Sequence, residues 1–322
     1  MPGLQVRNGK AFEYALAKQY YEYLCNEGVN VELLENDAFA VARNYYNGFT
    51  SAQKRRFDDS ASATINTMIK IEPGLMYPNN NGNVLKIALN SDNDGAEGDV
   101  RDVVFKRESP AWEIGFSAKN NNDAVKHSRL SSVLDFGKSW VGIPCSSNYW
   151  GEIRPIFNYL EDKIRTNASW TDLGRDKIER VYKPLLVAFR KELLNINEHN
   201  SNIPQKLIQY LIGRYSFYKI IKDDANNLVI VKAFNIKGSL NKGMGGVHSR
   251  YKIPCINLPT RIVEFDFMRG HEDNTLDMML DGGWEISFRI HNASTMVENS
   301  LKFDIRLLGN PPVLFTQHIF QD

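Results

Sequence analysis

Asp102 and Lys119 are the two residues of this sequence whose types and spacing most plainly suit chemistry. They sit in two short apolar runs, "DVVF" at 102–105 and "AWEIGFSAK" at 111–119, separated by "RESP" with Pro110 at the bend. Two such runs around a turn read as a β-hairpin. With the bend near 108–111, Asp102 falls opposite Ser117. Side chains alternate along a strand, so Glu113, Gly115, Ser117 and Lys119 share one face. A carboxylate and an ammonium at adjacent strand ends suit metal-dependent phosphodiester hydrolysis. The carboxylate holds Mg²⁺, which lowers the pKa of a bound water and polarises a phosphoryl oxygen. The lysine positions the nucleophile and offsets negative charge in the transition state. Taken singly, Asp102 reads more readily as a strand-start cap than as a ligand, and Lys119 as a solvated strand end. Their pairing in hairpin register is what gives the chemical reading.

The elements that must position this pair lie on both sides of it. Residues 8–27 predict an amphipathic helix, with Phe12, Leu16, Tyr20 and Leu24 every four residues, Asn8 as N-cap and Gly28 as stop. A second helix covers about 51–70. "PNNNG" at 78–82 is a turn, "NVLKIAL" at 83–89 a strand and "SDNDGAEGD" at 91–99 an acidic loop. Beyond the hairpin, "NNNDAVKHSRLSSVLDF" at 120–136 predicts a helix with Asn or Asp caps. "WVGIP" at 140–144 predicts a buried strand or turn, and helices follow near 150–165, 172–197 and 203–212. After about 213 the texture changes. "SFYKII" and "NLVIVKAF" form a hairpin; "RIVEFDFM", "TLDMML", "WEISFRIHNA" and "LKFDIRLL" read as strands, with "DGG" at 281–283 a tight turn. The expectation is an α/β core over 1–212 and a β-rich region over 213–322.

Composition narrows the classes. The chain has 322 residues, 43% hydrophobic and 24% charged, with a net charge of +1, so any nucleic-acid surface must come from local clustering of cations. Cys25, Cys145 and Cys255 are widely spaced and odd in number, which argues against a disulfide framework or a zinc site and for a reducing cytoplasm. The N-terminus lacks an apolar signal core, and no run of about 18 apolar residues could span a membrane. No solenoid repeat, nucleophile elbow, HExxH or dinucleotide fingerprint occurs. The glycine-rich "IKGSLNKGMGGVHSRYK" at 236–252 lacks a Walker A pattern and reads as a flexible basic loop, with Lys237, Lys242, Arg250 and Lys252 available to phosphates.

Asp102, a hairpin, then Ser117-Ala118-Lys119 resembles the PD-(D/E)xK nuclease core, and "GKAFE" at 9–13 matches the acidic helix that precedes the sheet in that superfamily. More specifically, "GDVRDVVF", "EIGFSAKNNNDAVKHSRLS" and "SFRIHNASTMVENSLKFDIRLLGNPP" resemble type II restriction endonucleases of the HaeIII type. The resemblance spans most of the chain. It implies a mixed central sheet flanked by helices, a bacterial cytoplasmic setting, and Mg²⁺-dependent cleavage of double-stranded DNA at a short palindrome, GGCC, leaving blunt ends. A palindromic target asks for a homodimer with one active site per strand. Two other readings stand beside it: a DNA-binding protein on the same fold that does not cleave, and a repair or structure-specific nuclease.

The sequence departs from the motif at Ser117, where the family pattern has a second acid. Glu113 lies on the correct face but roughly 13 Å back along the strand. Glu13 could reach in from the first helix, Asp99 or Glu97 from the acidic loop, and Asp123 or Asp135 from the following helix. Asp102 and Lys119 are the first choices, then Glu113, then Glu13. For DNA binding the candidates are Lys126, His127, Ser128 and Arg129 at the start of the expected helix, where backbone N–H groups and cations would meet a phosphate. Arg250 joins them from the basic loop. In "SFRIHNAS", Arg289 and His291 share one strand face with Asn292 just beyond; Phe288 and Ile290 suit the core. Arginine bidentate to guanine is the commonest direct readout. Lys302 and Arg306 carry the same reading on the next strand.

Overall fold

The computed structural model describes residues 3–77, 83–91, 98–121, 123–126 and 128–321. Along the chain run α1 (Leu4–Asn26), β1 (Val31–Leu34), α2 (Asp37–Asn47), α3 (Ser51–Ile71), β2 (Leu85–Leu89), β3 (Val103–Glu108), β4 (Ala111–Asn120), β5 (Ala124–Lys126) and β6 (Arg129–Ser131). Then come α4 (Ser147–Arg165), α5 (Lys183–Glu198), α6 (Ile203–Ile212), β7 (Phe217–Asp223), β8 (Leu228–Phe234), β9 (Ile262–Phe267), β10 (Thr275–Leu280), β11 (Glu285–His291), β12 (Ser300–Gly309) and β13 (Phe315–Phe320). They form two compact units. The first holds Met1–Asp123, Gly213–Ile256 and Val313–Asp322; the second holds Ala124–Ile212 and Asn257–Pro312. The expected division at 212/213 is one crossing between units, and the chain crosses again at 123/124, 256/257 and 312/313.

The first unit is a mixed sheet of order β1-β2-β3-β4-β7-β8-β13. β1 with β2 and β4 with β7 are parallel; the other pairs are antiparallel. α1 buries the expected stripe of Phe12, Leu16, Tyr20 and Leu24. The Tyr20 ring lies 5.2 Å from both Phe105 and Phe116, so α1 is fastened to the β3–β4 hairpin by aromatic edge contacts. The helix starts at Leu4 with Gly3 as its cap, not at Asn8, because nothing in "LQVRN" opposes helical backbone. Gly28, at φ +79°, stops it as expected. α3 starts at a capping box, in which Thr50 accepts from Gln53 N–H and the Gln53 side chain accepts from Thr50 N–H.

The second unit is an antiparallel sheet of order β5-β12-β11-β10-β9, with β6 also paired to β12. Phe265, Phe288 and Phe303 project from one face onto Phe189 of α5, at ring separations of 6.1, 5.5 and 5.1 Å. This unit corrects the helix expected over 120–136. Residues 124–126 and 129–131 are strands, with Leu130 paired to Leu301 and Arg129 to Lys302. The Asn/Asp-rich approach is a turn out of β4, and burial of Leu130 beside β12 outweighs the local capping signal. Trp140 and Val141 of "WVGIP" end a π-helical turn over Gly137–Val141 rather than a strand, and Gly142 at φ +75° closes it. "PNNNG" and most of the acidic loop lie outside the described residues.

Phe116 is fully buried and touches α1, β3 and β7 through Tyr20, Phe105 and Tyr218. Phe116→Ala should therefore cost about 3–5 kcal/mol, read as a clear fall in the thermal unfolding midpoint. An unchanged midpoint would contradict this account of the core.

Candidate active site and basic sheet face

Val103 is the first residue of β3 and pairs with Phe116 of β4, so Asp102 stands one step before the strand, opposite Ser117. The backbone there is pinned. Asp102 N–H donates to Phe116 O at 2.7 Å, and Asn90 N–H donates to Asp102 O at 3.0 Å. The Asp102 carboxylate accepts from Ala118 N–H at 2.7 Å and from the Ser117 hydroxyl at 3.3 Å. Lys119 Nζ lies 3.6 Å from the same Oδ2. Asp102, Ser117 and Lys119 thus come together as the hairpin register requires.

Glu13 joins them from α1. It is buried and bonded to Lys10 Nζ at 3.1 Å. Burial raises its pKa, and the Asp102 charge raises it further, to about 7, against the pull of Lys10 and Lys119. Two carboxylates that repel one another at a partly open strand end are what a hard cation relieves. Among the described residues no group of three or more His, Cys, Asp or Glu forms a metal cage. Mg²⁺ is commonly held by one or two carboxylates with waters and substrate phosphate supplying the rest, so the Asp102–Glu13 pair fits that ion.

The other candidate acids are committed elsewhere. Glu113 accepts from Arg101 Nη1 at 2.5 Å, and Asp99 binds Arg101 through Nε and Nη2 at 2.7 Å each. The Arg101 guanidinium also stacks 4.3 Å from the Tyr215 ring centroid. Gly115 makes room for it, since a Cβ there would collide with the arginine stem. Asp123 is held by Lys219 and Lys232, the latter at 2.7 Å. Asp135 belongs to the second unit, where it accepts from Lys138 N–H at 2.8 Å and Cys145 N–H at 3.1 Å. Glu97 lies outside the described residues.

One part of the site escaped the sequence reading. Ser117 pairs with Lys219 on β7, and Lys219 with Lys232 on β8. Asp102, just before β3, therefore stands in one row with Ser117, Lys219 and Lys232 of β4, β7 and β8. The Lys219 side chain is 3% exposed; burial pushes its pKa down to about 8 although Asp123 pulls it up. Its signal in the sequence is a lysine amid the apolar run "SFYKII", in a strand buried along nearly its whole length.

The DNA-binding candidates separate. Lys126 sits on a strand, 3.8 Å from the Tyr210 ring centroid, and donates to Tyr210 O at 3.2 Å. Ser128 is buried and shares a hydrogen bond with Tyr210 Oη at 2.9 Å. The expected helix N-terminus at these residues does not exist, and His127 lies outside the described residues. Arg129, Lys302 and His291 instead line up across β6, β12 and β11. Arg129 is held by Glu298 at 3.3 Å and Ser300 at 2.6 Å. Arg289 is half exposed on the same face, where it and Arg306 flank the buried Asp304 at 3.7 and 3.1 Å. Phe288 and Ile290 face the core as expected. His291 Nδ1 contacts Asn292 O at 2.9 Å, and Asn292 commits its amide to Lys177, Tyr182 and Ser294. Lys237, Lys242, Arg250 and Lys252 are exposed on their loop, but the loop is anchored by buried Leu240, Met244 and Ile253.

A mixed sheet flanked by helices, a carboxylate–lysine pair at a hairpin mouth and a separate basic sheet face describe an α/β protein equipped to act on a polyanion. The profile of the HaeIII restriction endonuclease family matches residues 9–311. The chain is 39% identical over 308 residues to the type II restriction enzyme HaeIII of Haemophilus aegyptius, an alignment covering 95% of each. It belongs to the HaeIII restriction endonuclease family. No solved structure matches it.

Because Glu13 has a folded pKa near 7, raised from 4.5, its neutral form favours folding. That contribution is full below the unfolded value and is lost as pH rises through the folded one. In metal-free buffer the wild type should lose stability between about pH 5 and 8 relative to Glu13→Gln. Parallel pH profiles for the two proteins would contradict the assigned environment.

Proposed function

We propose that this chain is a Mg²⁺-dependent type II restriction endonuclease of the PD-(D/E)xK kind, cutting double-stranded DNA at GGCC to leave blunt ends, and acting as a homodimer. The observation that carries the proposal is the convergence of Asp102, Ser117 and Lys119 at one strand end in a member of this family.

Asp102 and Glu13 are the residues that would hold Mg²⁺. When bound there, the ion supplies Lewis-acid polarisation of the phosphoryl oxygen and a water acidic enough to attack. The chain's own residues set the geometry. Ala118 N–H and the Ser117 hydroxyl both donate to Asp102 Oδ2, which fixes the carboxylate and leaves its other oxygen for the ion. Ser117 thus serves as a donor where the motif has an acid, and Glu13 takes the place of that acid from the helix. Lys119 Nζ stands beside Asp102, suited to orient the attacking water and to neutralise charge building on the phosphate. Glu113, tied to Arg101, stabilises the hairpin rather than holding the ion.

In the second unit, the sheet face with Arg129, Arg289, His291, Lys302 and Arg306 is suited to the DNA. Arg289 is the base-reading candidate, since its guanidinium is half exposed on the central strand of the sheet. Two copies related by a two-fold axis would match a palindrome, one active site to each strand.

Digestion of phage DNA with and without Mg²⁺, followed by sequencing of the fragment ends, tests the proposal: discrete blunt ends within GGCC support it, and discrete ends elsewhere discard the specificity. Asp102→Ala should abolish cleavage while DNA binding persists; retained cleavage removes Asp102 from the site. Lys119→Ala should slow single-turnover cleavage by about 10²-fold or more, and a near-normal rate refutes its role. Arg289→Ala should lose about 1–3 kcal/mol of discrimination between GGCC and single-base variants; unchanged specificity excludes base contact.

A further inference from the structure

Beyond the C-terminal end of β11, a cavity of about 400 Å³ opens between two loops of the second unit. One loop carries Trp170 and Thr171, the other Asn292 and Thr295. Backbone hydrogen bonds lace the loops together, from Trp170 N–H to Thr295 O and from Val297 N–H to Ala168 O, both at 3.0 Å. The walls are therefore set before any ligand arrives.

Lys177 projects into this framework. Its Nζ donates to Asn292 Oδ1 at 2.8 Å and lies 5.7 and 5.2 Å from the Trp170 and Tyr182 ring centroids. Asn292 cannot swing away. Its Oδ1 also accepts from Tyr182 Oη at 3.1 Å, and its Nδ2 donates to Ser294 O at 2.6 Å. The ammonium is thus aimed by a fixed amide and shielded by two rings, yet among the described residues no carboxylate pairs with it. The acids on the same loops are spoken for: Asp172 binds Ser169 N–H and Oγ at 2.7 Å each, and Glu298 binds Ala293 N–H at 2.7 Å and Arg129 at 3.3 Å. Burial alone acts on Lys177, pushing its pKa below the usual lysine value. A second donor at the wall is also unanswered. Trp170 is 3% exposed, and its indole N–H has no acceptor among the described residues.

A partly desolvated cation without a counter-charge is costly to maintain, and a charge-assisted hydrogen bond to an oxyanion repays it. The cavity continues the strand that carries Arg289 and His291, so the anion it meets is carried by whatever covers that basic face. We propose that Lys177 and this cavity form a binding site for one backbone phosphate of the duplex. The assignment rests on duplex DNA being the substrate. A single ammonium supplies charge without the two-point donor pattern that reads a base edge, so the site positions the duplex and carries no sequence preference of its own.

The test is equilibrium binding of metal-free protein to a GGCC duplex and to an equally long duplex lacking GGCC, across a series of salt concentrations. Lys177→Gln should weaken both duplexes by the same factor, about three- to ten-fold at low salt. It should also make the slope of log affinity against log salt shallower by about 1. Lys177→Arg should keep the wild-type slope, which separates loss of the charge from damage to the loops. An unchanged slope and affinity for Lys177→Gln overturns the site, and a loss confined to the GGCC duplex overturns the phosphate assignment in favour of a base contact. Failure of the wild type itself to bind either duplex sinks the substrate reading, a result distinct from a silent Lys177 in a protein that binds DNA.

Discussion

The pairing of Val103 with Phe116 is the constraint on which the candidate site depends. It puts Phe105 and Phe116 into the core against Tyr20 and, by alternation, sends Asp102, Ser117 and Lys119 to the opposite face. A slip of one residue would turn Ser117 and Lys119 into the aromatic core and Phe116 out of it. Hydrophobic burial thus fixes the position of the polar groups. The backbone bonds at Asp102 and the Ala118 N–H that its side chain accepts add angular precision to a register the core already enforces.

Charge balance along that row follows from the same register. Lys119, Lys219 and Lys232 face Asp102 and Asp123 across neighbouring strands, with Glu13 and Lys10 contributed by α1. Asp123 bridges the two deeper lysines, so the three stand as an ion cluster beside the hairpin. Lys119 is left against Asp102 at the more open end. Burial and the Asp102 charge hold Glu13 partly protonated. In the proposed site it is this helix carboxylate that stands in for the acid the motif places at Ser117.

Much of this was legible in the sequence, and for identifiable reasons. The hairpin could be placed because Pro110 and its neighbours mark the bend and period-two alternation then sets which residues meet. α1 announced itself by four-residue apolar spacing, and the strand series after residue 213 by alternation around "DGG". The helix expected over 120–136 failed because Asn, Asp and Ser signal a helix cap and a turn equally well, and only the partner strand β12, some 170 residues away in the chain, decides between them. The same blindness to long-range pairing hid Lys219, whose place beside Ser117 comes from a parallel pairing across about 100 residues. Glu113 looked correct by face alone; Arg101, on the neighbouring strand's approach, claims it. The crossings at 256/257 and 312/313 could not be read from composition, because strands of both units follow one another in the same β-rich stretch.

The central claim is that Asp102 and Glu13 together form a divalent-cation site beside Lys119. Its most direct test is Mn²⁺ binding, followed by electron paramagnetic resonance, to the wild type, Asp102→Asn and Glu13→Gln proteins in the presence of duplex DNA. The account predicts a bound-ion signal in the wild type that is lost in Asp102→Asn and strongly weakened in Glu13→Gln. Equal binding by all three proteins would contradict it.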